Sequence, residues 1–209
     1  MEQITFIERT PFLYHLTDRR NLDFIFHEKK LLSALSLVEL AGLDEAETFL
    51  SERRPEHTIL TINGFSVYVR DQRPLNRALI NCLTHNWTPG EYIYHLNARA
   101  FTWPNLRRLN IHYGRYAEEK PVILRLDTAA VLAINPHAEI TNINSGATRP
   151  SGALGGKAAA RGKDTFLPFA GYTRPISSVA EVTFPGSCIL PSKFEKGSHP
   201  DGPWIEVNI

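Results

Sequence analysis

Cysteine is scarce: only Cys82 and Cys188 occur, far apart and in no metal-ligand spacing. A disulfide framework is therefore not expected, and a reducing compartment is the simple reading. No His-Glu-x-x-His motif and no Cys/His cluster appears, which argues against a catalytic zinc site. A Gly-x-Gly-x-x-Gly fingerprint is missing too, so a dinucleotide, if bound, is not held in Rossmann fashion. Serine nucleophile elbows are absent. Gly155-Gly156-Lys157 resembles a phosphate loop only in part, because Ala158 stands where Ser or Thr is required and no strand precedes it. No apolar run approaches bilayer-spanning length. Met1–Arg9 lacks the cationic start and apolar stretch of a secretory leader, so a cytoplasmic protein without a membrane partner is expected. Excess charge of one sign is lacking as well: 23 Lys and Arg face 22 Asp and Glu, a net charge of +1. Any nucleic-acid partner must then be held by a local patch.

What is present is an ordinary globular composition, 43% hydrophobic and 22% charged over 209 residues. That length fits one domain, 1–209, with a core large enough to stand without staples. Phe12–Thr17 alternates as a strand, with Phe12, Tyr14 and Leu16 on one face and Leu13, His15 and Thr17 on the other. Asp18 is placed to cap a helix over Asn21–Leu32, and a second helix is predicted over Leu35–Arg53, before Pro55. Thr58–Arg70 reads as a hairpin around Asn63-Gly64, a pair suited to a turn needing two positive φ angles. Pro74 suits the first turn of a helix over Leu75–Leu83. Thr88 and Glu91 form a capping box for a helix running to about Arg99. A strand over Pro121–Leu126 and a short helix over Thr128–Leu132 follow. Ile143–Thr165 holds five glycines and reads as a long surface loop, its 149–165 part flexible and basic. Ser178–Phe184 is a last strand, and 193–209 a tail that wraps the surface or frays. Helices grouped between early and late strands give an α+β class.

Several side chains could carry chemistry. Glu181 sits mid-strand among apolar neighbours, where a carboxylate is costly unless paired or functional; a solvent-facing position is the plain alternative. His15 lies near the end of a strand that feeds a helix, a common ligand position, although a lone histidine is more often simply packed. Arg70 and Arg73 bracket Asp71-Gln72 and would suit a phosphate, or make a charged turn. Phe101-Thr102-Trp103 could stack on an aromatic ring or join the core. Arg149, Lys157, Arg161 and Lys163 lie in a stretch without acidic residues, either a nucleic-acid contact or a solvated loop.

Two segments resemble DarT-type ADP-ribosyltransferase toxins. One is Leu13-Tyr14-His15-Leu16-Thr17 with Asn21-Leu22-Asp23-Phe24-Ile25 and Leu31-Leu32-Ser33. The other is Ala180-Glu181-Val182 with Pro185. The whole chain is also similar to an uncharacterised bacterial family that shares Val69–Pro74, Ile143–Thr148 and Arg161–Phe166. The middle departs from DarT, where an arginine stands two residues before the proline of the hairpin-to-helix turn; here that place holds Gln72.

The resemblance implies a split antiparallel sheet with NAD⁺ in its cleft, surrounding helices, and no metal. It implies Glu181 and Arg73 as catalytic residues, with Arg70 the alternative to Arg73. His15, Thr17, Asn21, Leu22, Arg70 and Trp103 would bind NAD⁺, and Arg149, Lys157, Arg161 and Lys163 the acceptor. That acceptor would be a base in single-stranded DNA or RNA, within a toxin–antitoxin or anti-phage system with an antitoxin protein. An NAD⁺ glycohydrolase, a protein-directed transferase and a non-catalytic NAD⁺- or RNA-binding module are the competing classes.

Overall fold

The computed structural model describes residues 1–150 and 154–209. A short helix, α1 (Gln3–Arg9), precedes the predicted first strand, β1 (Phe12–Thr17). Asp18 does cap, accepting from Arg20 N, but it caps a single 3-10 turn at Arg19–Asn21 that leads into α2 (Leu22–Glu28). The helix expected to reach Leu32 ends at Lys29, whose left-handed backbone (φ 54°) turns the chain into β2 (Lys30–Leu32). The helix expected over Leu35–Arg53 is two. Ser33 caps α3 (Ala34–Ala41), Gly42 ends it at φ 61°, and α4 (Ala46–Ser51) follows. The hairpin is as expected: β3 (Thr58–Ile62) pairs β4 (Phe65–Val69) around Asn63-Gly64, both at positive φ.

Arg77–Cys82 is 3-10 rather than α-helical. Tertiary bonds flank the segment: Thr148 N donates to Pro74 O and Asn76 N to Thr148 Oγ1 just before it, and Arg161 N donates to Cys82 O at its end. The Thr88/Glu91 capping box opens α5 (Pro89–Asn97), and the chain then enters β5 (Arg99–Thr102), a strand not foreseen. Nor was α6 (Leu106–Tyr113), capped by Asn105. Then come β6 (Val122–Asp127), α7 (Thr128–Ile134) and β7 (Glu139–Thr141). The expected surface loop over Ile143–Thr165 is solvated only in part: Arg149, Lys157 and Lys163 are exposed, whereas Ser145, Thr148, Arg161 and Thr165 are buried; its residues 151–153 lie outside the described residues. β8 (Leu167–Pro168) leads to the last expected strand, β9 (Glu181–Pro185). The segment read as a tail is instead sheet. After β10 (Ser187–Ile189), β11 (Lys193–Gly197) pairs β6, and β12 (Ile205–Asn208) pairs β11.

Among the described residues two four-stranded sheets form, ordered β1-β6-β11-β12 and β5-β9-β7-β8, with adjacent strands antiparallel. This is the expected α+β class. The sheets meet at one residue pair: Tyr14 N donates to Trp103 O (2.9 Å) and Trp103 N to Tyr14 O (2.8 Å). The main core draws Leu13, Leu124 and Leu126 from one sheet and Ile140, Val182 and Phe184 from the other. On the opposite face of β1, Tyr14 and Leu16 pack with Trp103, Leu109 and Ile123. The alternation of β1 is thus used twice, and each buried aliphatic side chain contributes about 1.5–3 kcal/mol.

Candidate functional site

Strands of both sheets line one cavity of about 280 Å³. His15 and Thr17 reach it from β1, Phe101 from β5 and Glu181 from the start of β9. Arg70 and Asp71, just past the β3–β4 hairpin, line it from a third direction.

Glu181 is 4% exposed, so the solvent-facing alternative is ruled out. Among the described residues its carboxylate has one hydrogen-bond partner, Ser145. Ser145 Oγ donates to Oε2 at 2.6 Å, and Ser145 N donates to Oε1 and Oε2 at 3.2 and 3.4 Å. Burial outweighs these bonds and the nearby Arg108 and Arg161 charges, and pushes the Glu181 carboxyl up to about 7.

His15 Nδ1 lies 2.8 Å from Phe101 O. A carbonyl only accepts, so Nδ1 carries the proton and Nε2 is left as an acceptor. Burial lowers the imidazole to about 4, helped by the Arg70 charge, so the ring is neutral at pH 7. His112 stacks on Trp103 with ring centroids 4.2 Å apart. Burial, then Arg70, Arg115 and His15, lower it to about 3. The cavity therefore holds its histidines uncharged.

The two arginines separate clearly. Arg73, favoured from the sequence, does not line the cavity; its side chain is 62% exposed, beside Asp71 (3.5 Å) and Pro55 O. Asp71 Oδ1 accepts from Arg73 N, a turn that carries Arg73 outward. Of the two, Arg70 is the one that lines the cavity. Its guanidinium lies over the Tyr116 ring at 4.1 Å, with Nη1 on Glu119 at 3.1 Å. Its Nε and Nη2 are buried without a hydrogen-bond partner among the described residues. Unanswered buried donors on a part-buried guanidinium suit an anionic oxygen.

Other expected residues shift role. Asn21 lines the cavity, but its amide holds the hairpin: Nδ2 donates to Tyr68 O (3.0 Å) and Oδ1 accepts from Tyr68 N (2.8 Å). Nδ2 also reaches Thr17 Oγ1 at 3.3 Å. Leu22 packs against the main core and does not line the cavity. Trp103 does line it. Arg149, Lys157 and Lys163 are exposed, as an acceptor surface requires. Arg161 is not available to an acceptor: it is 3% exposed, and its guanidinium donates to the carbonyls of Asn144, Ser145, Ala147 and Ala159.

Sequence reasoning missed Ser145, Arg54 and Asn97. Asn97 Oδ1 accepts from Arg54 Nη2 (3.0 Å) and Gln72 Nε2 (3.1 Å), tying α5 to the cavity wall. Burial lowers Arg54 to about 10, against the opposing Asp71 charge. Arg53-Arg54-Pro55 looks like a surface turn in sequence. The signal for Ser145 was the shared Ile143–Thr148 segment, which had no assigned chemistry.

Among the described residues no helix is long and apolar enough to cross a membrane, and no group of three or more His, Cys, Asp or Glu stands ready to hold a metal ion. No curated protein and no solved structure matches the chain. Residues 11–194 match the model of DUF7002, described as a family of unknown function. That span runs from the strand bearing His15 past the strand bearing Glu181 and takes in the whole cavity, and the chain belongs to the DUF7002 family.

Proposed function

We propose that the protein is an ADP-ribosyltransferase that uses NAD⁺ and modifies a base in single-stranded DNA or RNA. The observation that carries this reading is the buried Glu181 carboxylate in one cavity with the neutral imidazole of His15, at the seam of two antiparallel half-sheets. β1 and β9 both neighbour β5, and the His15 and Glu181 side chains line the same cavity. This agrees with the split sheet that the DarT resemblance implies. The unpaired Nε and Nη2 of Arg70 offer donors of the kind a pyrophosphate requires.

When bound, NAD⁺ would supply a glycosidic bond whose cleavage sends the electron pair to nicotinamide and leaves cationic character on the ribose. Glu181 would stabilise that charge through a fixed carboxylate that need not reorganise. His15 would accept from a ribose hydroxyl through Nε2, and its neutrality avoids a second positive charge beside the reacting carbon. Arg70 would hold the phosphates, and Trp103 would wall the ring-binding side. Arg149, Lys157 and Lys163 would contact the acceptor strand, whose target base must be unpaired to be reached. The setting that follows is a cytoplasmic toxin of a toxin–antitoxin or anti-phage system, held in check by an antitoxin protein.

The test is incubation with NAD⁺ labelled in the adenylate, with single-stranded DNA, RNA or lysate protein. Label on an oligonucleotide supports the reading. Free ADP-ribose alone makes the protein a glycohydrolase, label on protein a protein-directed transferase, and unconsumed NAD⁺ a binding module. Each of these three overturns the base-modifying assignment.

A further inference from the structure

Arg161 poses a physical problem. It is a guanidinium with 3% exposure and no carboxylate within ion-pair distance among the described residues. Burying an unpaired cation is costly unless its donors are all used. They are used on four main-chain carbonyls and on Cys82 Sγ, and three of the carbonyls belong to Asn144, Ser145 and Ala147. The Ser145 carbonyl also accepts from Tyr92 Oη at 3.1 Å, and Thr148 is tied to Pro74 and Asn76. The short segment around Ser145 is therefore gripped through the Asn144, Ser145 and Ala147 carbonyls. Its other side, Ser145 N and Oγ, faces Glu181.

We infer that Ser145 is a positioning residue for Glu181, and that Arg161 acts through Ser145 by clamping its main chain. Two donors from one residue fix the carboxylate plane. Oε2 takes the short bond from Oγ, whereas Oε1 takes only the longer one from N, so Oε1 keeps the larger accepting capacity for a ligand. Both bonds favour the ionised carboxylate, in opposition to burial. The segments Ile143–Thr148 and Arg161–Phe166 thereby meet at one task, holding the acid. The inference rests on the transferase reading only for what Glu181 finally does; the positioning itself is a property of the ligand-free protein.

The experiment is a pH titration of the Glu181 side-chain carboxyl by ¹³C NMR in the ligand-free protein, with E181Q identifying the resonance. In S145A the midpoint should rise by about one pH unit or more, since a charge-assisted bond is lost. S145T, which keeps a hydroxyl, should restore most of the wild-type value. R161K keeps the charge but not the planar fork, and should raise the midpoint in the same direction by loosening Ser145. If R161K does not fold, Y92F removes the other donor on the Ser145 carbonyl and serves the same test. A wild-type midpoint in S145A overturns the role of Ser145. A shifted S145A beside unshifted R161K and Y92F overturns the clamp. Neither result depends on turnover of NAD⁺, so a failure of the transferase assignment is read separately.

Discussion

Nδ1 of His15 lies 2.8 Å from the carbonyl oxygen of Phe101, and this contact across the seam of the two half-sheets sets the tautomer of the ring. ¹⁵N NMR at pH 7 should find a neutral imidazole protonated at Nδ1, with no titration down to about pH 5, because the group is lowered to about 4. H15A should weaken NAD⁺ binding about tenfold or more, the scale of one lost hydrogen bond to a ligand in a buried site. A ring that titrates near 6.5 removes His15 from this role.

On the transferase reading Glu181 bears on both rate and stability, with opposite pH preferences. On the transferase reading the ionised form is the one that acts, so kcat/KM should rise with pH through about 7 and level off above it. E181Q should retain its fold and lose activity by roughly a hundredfold or more. The stability sign is the reverse. The folded-state value is raised above the unfolded one, so the stabilising contribution is complete below about 4.5 and disappears as pH rises through about 7. Wild type should therefore lose stability relative to E181Q between pH 5 and 8, by roughly 2–4 kcal/mol. Parallel urea titrations of the two proteins that track each other over this range contradict the buried-acid account.

Arg70 and Arg73 are three residues apart and should behave differently. R70A removes the cavity cation with unpaired donors and should weaken NAD⁺ binding by about ten- to a hundredfold. R73A removes an exposed side chain beside Asp71, an ion pair of the kind worth at most about 1 kcal/mol, and should leave binding within about threefold. Calorimetric titration of both variants decides it, and the reverse ranking would restore Arg73.

Asn21 should act on stability first. N21A strips both partners from the Tyr68 backbone, leaving a part-buried N–H and C=O unanswered at a cost of about 1–3 kcal/mol. Thermal unfolding should drop by about 2–10 °C for a chain of this size. A variant with unchanged melting but impaired NAD⁺ binding would return Asn21 to direct ligand contact.

Local signals carried a good part of the fold. The period-two alternation of Phe12–Thr17 placed Leu13 in the core and His15 and Thr17 together, because successive strand side chains must oppose. Asn63-Gly64 and the Thr88/Glu91 box were legible because a turn needing positive φ and a reciprocal cap depend on neighbouring residues only. One helix end was misread at Lys29, where a left-handed residue cuts α2 short, and the helix expected over Leu75–Leu83 is a 3-10 stretch, Arg77–Cys82, flanked by tertiary bonds. The tail was misjudged because Gly, Pro and Ser in its sequence say nothing of the open edge of β6 that β11 fills.

The sequence by itself determined which strands and turns form, and it pointed to a glutamate and a histidine able to carry chemistry. Only the tertiary structure decided that Glu181 and His15 share a cavity, that Arg70 enters it while Arg73 faces water, and that Arg161 lies behind Ser145 instead of on an acceptor surface. The reason is that alternation, capping and turn chemistry act between neighbours, whereas burial and the pairing of charges depend on strand order and on segments far apart in the chain.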